Sequence, residues 1–249
     1  MRSKNYRDRN SLNFAISVIV PVYNNERILP RTIAALVGQY LPGFKSYELI
    51  FVDDGSCDGS LELLRAASMG NPRLRVMVHE KNLGQQQAIA TGMLAATKDV
   101  VIGLDADLPC GVSSFQKVAV LAAQGCELVL GRRTFQKRRT WWRNFGSRIG
   151  NGLFKILFTY EIRDFGCSTA AVRRSLVEKF RRAFTSVYLI KIQLLSVATD
   201  YMETDIDSQA PLSDAESGYS VFSLAKLLWL MLLSRVYMGG KSVPSKAAK

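Results

Sequence analysis

The chain has 249 residues, enough for one large α/β domain or a domain with a C-terminal extension, and its apolar share of 48% allows a sizeable core. A formal net charge of +12 favours an anionic partner: a nucleotide, nucleic acid or an acidic membrane face. Its single histidine, His79, excludes Ser-His-Asp catalysis and histidine-based metal chemistry. The scattered cysteines Cys57, Cys110, Cys126 and Cys167 contain no CxxC pair, form neither a zinc site nor a disulfide framework, and fit a reducing compartment.

Met1–Asn13 is polar and lacks the apolar region of a signal peptide, so residues 1–14 are expected to form a flexible segment. Ile16–Val20 reads as a strand, followed by a loop at Pro21–Asn25 and a helix to about Gln39. Glu48–Val52 is a second strand and ends in Asp53-Asp54-Gly55-Ser56. Leu61–Ala67 lies on a helix, Leu74–Val78 is a third strand with His79 at its end, and Gln85–Thr97 is helical. Val100–Leu104 is a fourth strand leading into Asp105-Ala106-Asp107, Phe115–Ala123 a helix and Glu127–Leu130 a fifth strand. Strands alternating with helices predict crossover units and a mostly parallel sheet. Right-handed crossovers then bring the loops at Pro21, Asp53, Asn82 and Asp105 to one rim, where open α/β folds bind ligands.

The pattern changes after Gly131. Arg132–Arg148 is rich in arginine and lysine, has no acidic residue, and interleaves Phe135, Trp141, Trp142 and Phe145. A solvated loop, a membrane or phosphate contact and a nucleic-acid surface all fit this composition; with no RNP, zinc-finger or helix-turn-helix pattern, nucleic acid ranks last. Val221–Met238 is strongly apolar but short for a spanning helix, and Lys226 and Arg235 lie within it. An interfacial helix over 216–240, or one packed on the domain, is expected, followed by a flexible tail over 241–249.

The two acidic turns carry the chemistry. Carboxylates one residue apart, as in Asp105-Ala106-Asp107, can share a divalent cation, although Asp-x-Asp alone also suits a solvated turn or a helix cap. The recurrence of an acidic turn after an equivalent strand favours the ligand reading. Within Asp53-Asp54-Gly55-Ser56, ligand contact falls to Asp53, while Gly55, Ser56 and Asp58 have structural roles. Gly84 and Gln85 open a helix whose N-terminus favours anions, against an equally weighted reading as a plain loop. Neither a P-loop nor G-x-G-x-x-G is present.

Taken in order, ISVIVPVYNNE from Ile16, ELIFVDDGSCDGS from Glu48, NLGQQQAIATG from Asn82 and DVVIGLDADLP from Asp99 resemble the family 2 glycosyltransferases of the GT-A fold. GRR at Gly131, WWRNFGSRIGN from Trp141, RDFGCSTAAVRR from Arg163 and ESGYS from Glu216 extend the resemblance to the branch acting on polyprenyl phosphates of undecaprenyl and dolichyl type. It implies a GT-A domain over 15–215 and an inverting transferase using a nucleotide diphosphate sugar, a polyprenyl phosphate and Mg²⁺ or Mn²⁺. It also implies peripheral attachment to an anionic, cytoplasmic membrane face. By position, Pro21, Tyr23, Asn25, Asp53, Gly84, Gln85, Asp105, Ala106 and Asp107 would contact the donor, Asp105 and Asp107 the metal, and Arg133 and Arg143 a phosphate. Asn25 stands where the family usually has glutamate and Pro109 where it has glutamine. Leu212 and Gly218 replace basic positions, which leaves Lys191, Lys226 or Arg235 to supply the charge. A saccharide acceptor, a catalytically impaired partner subunit and a homo-oligomer through the last helix stay open alternatives.

Overall fold

The computed structural model describes residues 12–134, 152, 157–158, 160–184, 189–207, 229–230 and 232–233. The strands are β1 (Ala15–Val22), β2 (Ser46–Asp53), β3 (Leu74–Val78), β4 (Val100–Gly103), β5 (Leu128–Arg133), β6 (Ala170–Arg173) and β7 (Tyr201–Ile206). They form a 7-stranded sheet in the order β3-β2-β1-β4-β6-β5-β7. The helices are α1 (Leu29–Ala35), which continues as a π turn over Leu36–Tyr40, α2 (Ser60–Gly70), α3 (Gln85–Ala95), α4 (Val112–Ala123), α5 (Arg174–Ala183) and α6 (Ile190–Val197).

The expected parallel core is present: β1 pairs in parallel with β2 and β4, and β2 with β3. β6 runs antiparallel between β4 and β5, so the sheet is mixed. β6, β7, α5 and α6 all lie beyond the region where alternating strand and helix signals were readable. β1 also runs through Pro21 to Val22 and takes in the start of the expected loop. A proline is tolerated there for a reason of register. Val22 faces β2, where its carbonyl accepts the Asp54 amide at 2.8 Å. Pro21 therefore faces β4, whose pairing has already ended at Ile19–Gly103, so its missing N–H breaks no ladder bond.

β1 and β2 are apolar at successive positions because both sheet faces are covered. Val18, Val20, Leu49, Phe51 and Ile102 enter one core with Leu29, Leu36 and Phe115; Ile19, Ile50, Val52 and Val101 enter the other with Ala88, Met93 and Phe180. α3 lies very close to the sheet on the second side. A Cβ on Gly92 would stand 2.3 Å from Ile19 Cγ2 and 3.2 Å from Val52 Cγ2.

At the opposite end of the sheet from the acidic turns, the buried Glu48 ties three elements together. Ser17 Oγ donates to its Oε1 at 2.6 Å, Thr97 N at 2.6 Å and Thr97 Oγ1 at 3.0 Å; Arg75 Nη1 donates to Oε2 at 3.1 Å. Burial alone would raise the pKa of Glu48, but these bonds outweigh it and hold the carboxyl below the usual glutamate range.

Two outcomes follow. Gly92→Ala should destabilise the fold by about 1–3 kcal/mol through overpacking against Ile19, read from a lowered urea midpoint at unchanged slope. Because the folded-state pKa of Glu48 lies below its unfolded value, its contribution is present at neutral pH and is lost as pH falls through the folded pKa. The Tm gap between the wild type and Glu48→Gln should therefore narrow below the ordinary glutamate range; a gap independent of pH would contradict the role given to Glu48.

Candidate active site

The parallel register brings the carboxyl ends of four strands level. Asp53, the last residue of β2, lies opposite Val22 of β1 and Val78 of β3. Leu104 N donates to Ile19 O at 3.0 Å, which starts the Asp105–Asp107 turn beside β1. The loops expected on one rim are thus together.

Asp53 is buried. Its Oδ2 accepts the Ser56 amide at 3.2 Å, while its buried Oδ1 has no hydrogen-bond partner among the described residues. The neighbouring Asp54 serves a different purpose, which adjacency in sequence did not reveal. Its carboxylate accepts Leu83 N at 3.0 Å and Gly84 N at 2.8 Å and is paired with His79 Nδ1 at 2.7 Å. Nδ1 donates, because a carboxylate only accepts, and Nε2 meets Thr91 Oγ1 at 3.0 Å. His79 is thus the expected strand-end residue, with its side chain locking the loop that opens α3. Gly55 is structural as expected: its φ is +71°, and a Cβ there would meet the Lys81 carbonyl carbon at 2.7 Å and Asn82 N at 2.8 Å.

The Pro21–Asn25 side of the rim is stitched to the Gly55–Ser60 loop. Asn24 Oδ1 accepts Cys57 N at 2.9 Å, Glu26 Oε2 accepts Gly59 N at 3.0 Å and Asp58 Oδ2 accepts Glu26 N at 3.1 Å. Asn25 has its amide on Ser60 Oγ at 2.8 Å and its Oδ1 on Tyr23 N at 3.2 Å, which shapes the backbone. Tyr23 is 45% exposed on this rim.

The acidic turn itself is tightly wound. Leu108 N donates to Asp105 O at 3.0 Å, and Leu108 has φ +50°, a left-handed conformation costing roughly 1–2 kcal/mol for a residue with a side chain. Two groups hold the turn from below: Thr32 Oγ1 donates to Ala106 O at 2.6 Å and Tyr40 OH to Cys110 O at 2.5 Å, on either side of Pro109. Gln85 Nε2 reaches from the start of α3 to Asp105 Oδ1 at 2.6 Å. Burial pushes the pKa of Asp105 up, opposed by hydrogen bonds from Ser168 and Gln85 and by the charges of Arg133 and Lys191. Burial, and then the charge of Asp105, push Asp107 up as well. Asp107 Oδ1 is buried without a hydrogen-bond partner among the described residues.

That combination fits a divalent cation. Two neighbouring carboxylates are destabilised in their charged form, and one presents an uncommitted oxygen. The described residues contain no cluster of three or more His, Cys, Asp or Glu side chains fit for a metal. A cation here would take only one or two protein carboxylates, the regime in which Mg²⁺-type ions draw their remaining oxygens from water and phosphate.

Arg133 ends β5 and lies within electrostatic reach of Asp105. It forms a two-pronged pair with Asp164: Nε donates to Oδ2 and Nη2 to Oδ1, each at 2.8 Å, and the Arg133 amide adds a bond of 3.1 Å to Oδ2. Burial raises the pKa of Asp164, but the bonds and charge of Arg133 prevail and hold it below the ordinary range. Glu203 fixes the same loop by accepting Arg163 N and Asp164 N. Asp164 and Ser168 lie in the RDFGCS segment, where nothing in the residue types distinguished them; both needed tertiary contacts to be found. Arg143, Lys226, Arg235, Leu212 and Gly218 lie outside the described residues.

Residues 17–181 match the family model described as glycosyl transferase family 2. The chain is 33% identical over 221 residues to an undecaprenyl-phosphate 4-deoxy-4-formamido-L-arabinose transferase of Edwardsiella ictaluri, covering 87% of this chain and 65% of that protein. A protein of the same name from Proteus mirabilis is 30% identical over 217 residues, with the same coverage. The chain therefore spans about 65% of the length of these curated relatives. In fold it is similar to glucosyl-3-phosphoglycerate synthase from Mycobacterium tuberculosis, solved with Mn²⁺, UDP and phosphoglyceric acid (TM-score 0.68, 16% identity, 96% of this chain and 84% of that one). It is also similar to a mannosyltransferase from Pyrobaculum calidifontis, solved with GDP-Man and Mn²⁺ (TM-score 0.59, 16% identity, 95% and 77%). These likenesses bear out the expected GT-A fold.

Asp54→Asn should lower stability by about 1–3 kcal/mol, because it leaves the Leu83 and Gly84 amides and His79 with a poorer acceptor. Hydrogen exchange at Leu83 and Gly84 should speed up in that variant; unchanged exchange would show that Asp54 does not hold the loop.

Proposed function

The chain belongs to glycosyl transferase family 2, and from that membership we propose that it moves a sugar from a nucleotide diphosphate to a polyprenyl phosphate. The observation that carries this reading is the acidic turn: Asp105 and Asp107 are both pushed toward protonation by burial, and Asp107 keeps one buried oxygen uncommitted. The donor half is supported by neighbours of the same fold solved with UDP or GDP-Man and Mn²⁺. The acceptor half is supported by the relatives' name, undecaprenyl-phosphate transferase.

In this reading Asp105 and Asp107 hold Mg²⁺ or Mn²⁺. When bound, such a cation neutralises diphosphate oxygens and stabilises the departing nucleoside diphosphate. Asp53 takes the base through its uncommitted oxygen, with Pro21, Tyr23 and Asn25 beside it. Gly84 and Gln85 present the N-terminus of α3 to phosphate, and Gln85 also orients Asp105. Arg133, braced by Asp164, supplies positive charge to phosphate oxygens, as would Arg143. A lipid phosphate is already ionised at neutral pH, so its oxygen needs no general base, and direct displacement inverts the anomeric carbon.

The same reading places the protein at a cytoplasmic, anionic membrane surface. No helix among the described residues is long and apolar enough to cross a membrane. In the apolar segment near the C-terminus, Trp229 and Leu232 are exposed while Leu230 packs against the core, which suits an interfacial helix.

Thermal denaturation with Mn²⁺ and each of UDP, GDP, dTDP and CMP tests the donor site. One nucleotide should raise Tm by several degrees, since saturation at ~100 times Kd adds about 2.7 kcal/mol. Asp107→Ala should lose the Mn²⁺-dependent part of that shift and the transfer activity while remaining folded. A wild-type Tm that no nucleotide moves would favour a non-catalytic partner. Failure to float with anionic liposomes would favour a saccharide acceptor.

A further inference from the structure

Lys191, on α6, is a lysine whose charged end is turned into the protein. Its Nζ donates to Phe165 O and to Cys167 O, each at 2.6 Å, and lies 5.2 Å from the centroid of the Phe165 ring. Two carbonyls of one short turn thus converge on a single ammonium. The turn is closed on itself by Cys167 N donating to Asp164 O at 3.3 Å.

The turn that Lys191 grips carries three contacts of the active site. Asp164, at its start, holds both prongs of Arg133. Gly166, at its middle, lies directly against the Arg133 guanidinium, so that a Cβ there would stand 3.1 Å from Nη2. Ser168, just beyond its end, hydrogen-bonds the Asp105 carboxyl. The charges of both Arg133 and Lys191 act on Asp105 and favour its ionised form. The turn is therefore clamped between two cations, Arg133 against Gly166 and Lys191 on the flanking carbonyls. Both cations lie close to the carboxylate that opens the acidic turn.

Resting on the donor-site reading above, we infer that Lys191 is a positioning residue for diphosphate recognition. By pinning Phe165 and Cys167 it sets where Arg133 and Ser168 stand relative to Asp105, and its own charge adds to the positive field there. Ammonium is suited to this place. It is a compact charge with three rotatable donors, and it can satisfy two carbonyls at once without the planar demands of a guanidinium. Such a residue acts on the phosphate end of a nucleotide and leaves base recognition, at Asp53 and Tyr23, untouched.

Lys191→Met keeps the unbranched stem of the side chain and removes its charge and donors. The test compares, by calorimetry in Mn²⁺, binding of the nucleoside diphosphate that most stabilises the wild type with binding of the matching nucleoside monophosphate. In Lys191→Met the diphosphate Kd should rise about tenfold while the monophosphate Kd stays within twofold. Equal loss for both ligands would mean a general loosening of the fold and would overturn the inference, as would an unchanged diphosphate Kd. If Lys191→Met does not fold, Ser168→Ala reads the same link from its other end: selective loss of diphosphate affinity is expected, and wild-type affinity overturns the inference. A wild type that binds no nucleotide overturns the donor-site reading itself, an outcome separate from a wild type that binds and a variant that does not differ.

Discussion

The two acidic turns depend on the register of β1 between its parallel neighbours. Backbone groups in a strand buried on both faces must find partners in the ladder, so β1, β2 and β4 cannot slide without leaving polar groups unpaired. With Ile19 opposite Ile50 and Gly103, the chain leaves the sheet at Asp53 and at Asp105 on the same rim. The close seat of Gly92 on Ile19 and Val52 brings α3 to the same face and delivers Gly84 and Gln85 to that rim. Glu48, bound by Ser17, Thr97 and Arg75, secures the far end of the same strands.

Upon that frame stands a concentration of charge. Burial and the charge of Asp105 disfavour ionisation of Asp107, while Arg133 and Lys191 favour the ionised form of Asp105 against its burial. Arg133 is itself matched with Asp164, so it acts on the acidic turn as part of a pair. Two carboxylates disfavoured in their charged form beside two cations are the kind of setting that suits a divalent cation and phosphate oxygens.

The rim is also built to stay in place. Asp54 ties the loop before α3 to the end of β2 and, through His79, to Thr91 in the body of α3. Asn24, Glu26 and Asp58 join two neighbouring loops by backbone amides. Thr32 and Tyr40 hold the wound segment from Ala106 to Cys110, with Leu108 in its left-handed conformation. Local strain of this kind persists only where the surroundings fix it. Preorganised donors and charges of this sort need little rearrangement when a ligand arrives.

The first part of the fold, and the rim where the candidate site lies, were legible in the residues alone. β-branched apolar runs between helical segments can be buried on both faces only in a parallel, helix-covered sheet, and the acidic turns fall at the ends of those runs. The extent of β1 through Pro21 was hidden, because it depends on where β4 stops. β6 and β7 were missed because they lie past the point where strand and helix signals alternate; β6, moreover, runs antiparallel between β4 and β5. The division of labour between Asp53 and Asp54, the role of His79, and the convergence of Asp164, Ser168 and Lys191 on Arg133 and Asp105 belong to tertiary structure alone. Residue type and spacing state what a side chain can bond. Which donors and charges come within a few ångströms of it is settled only when segments as distant as β4, the turn at Gly166 and α6 are packed together.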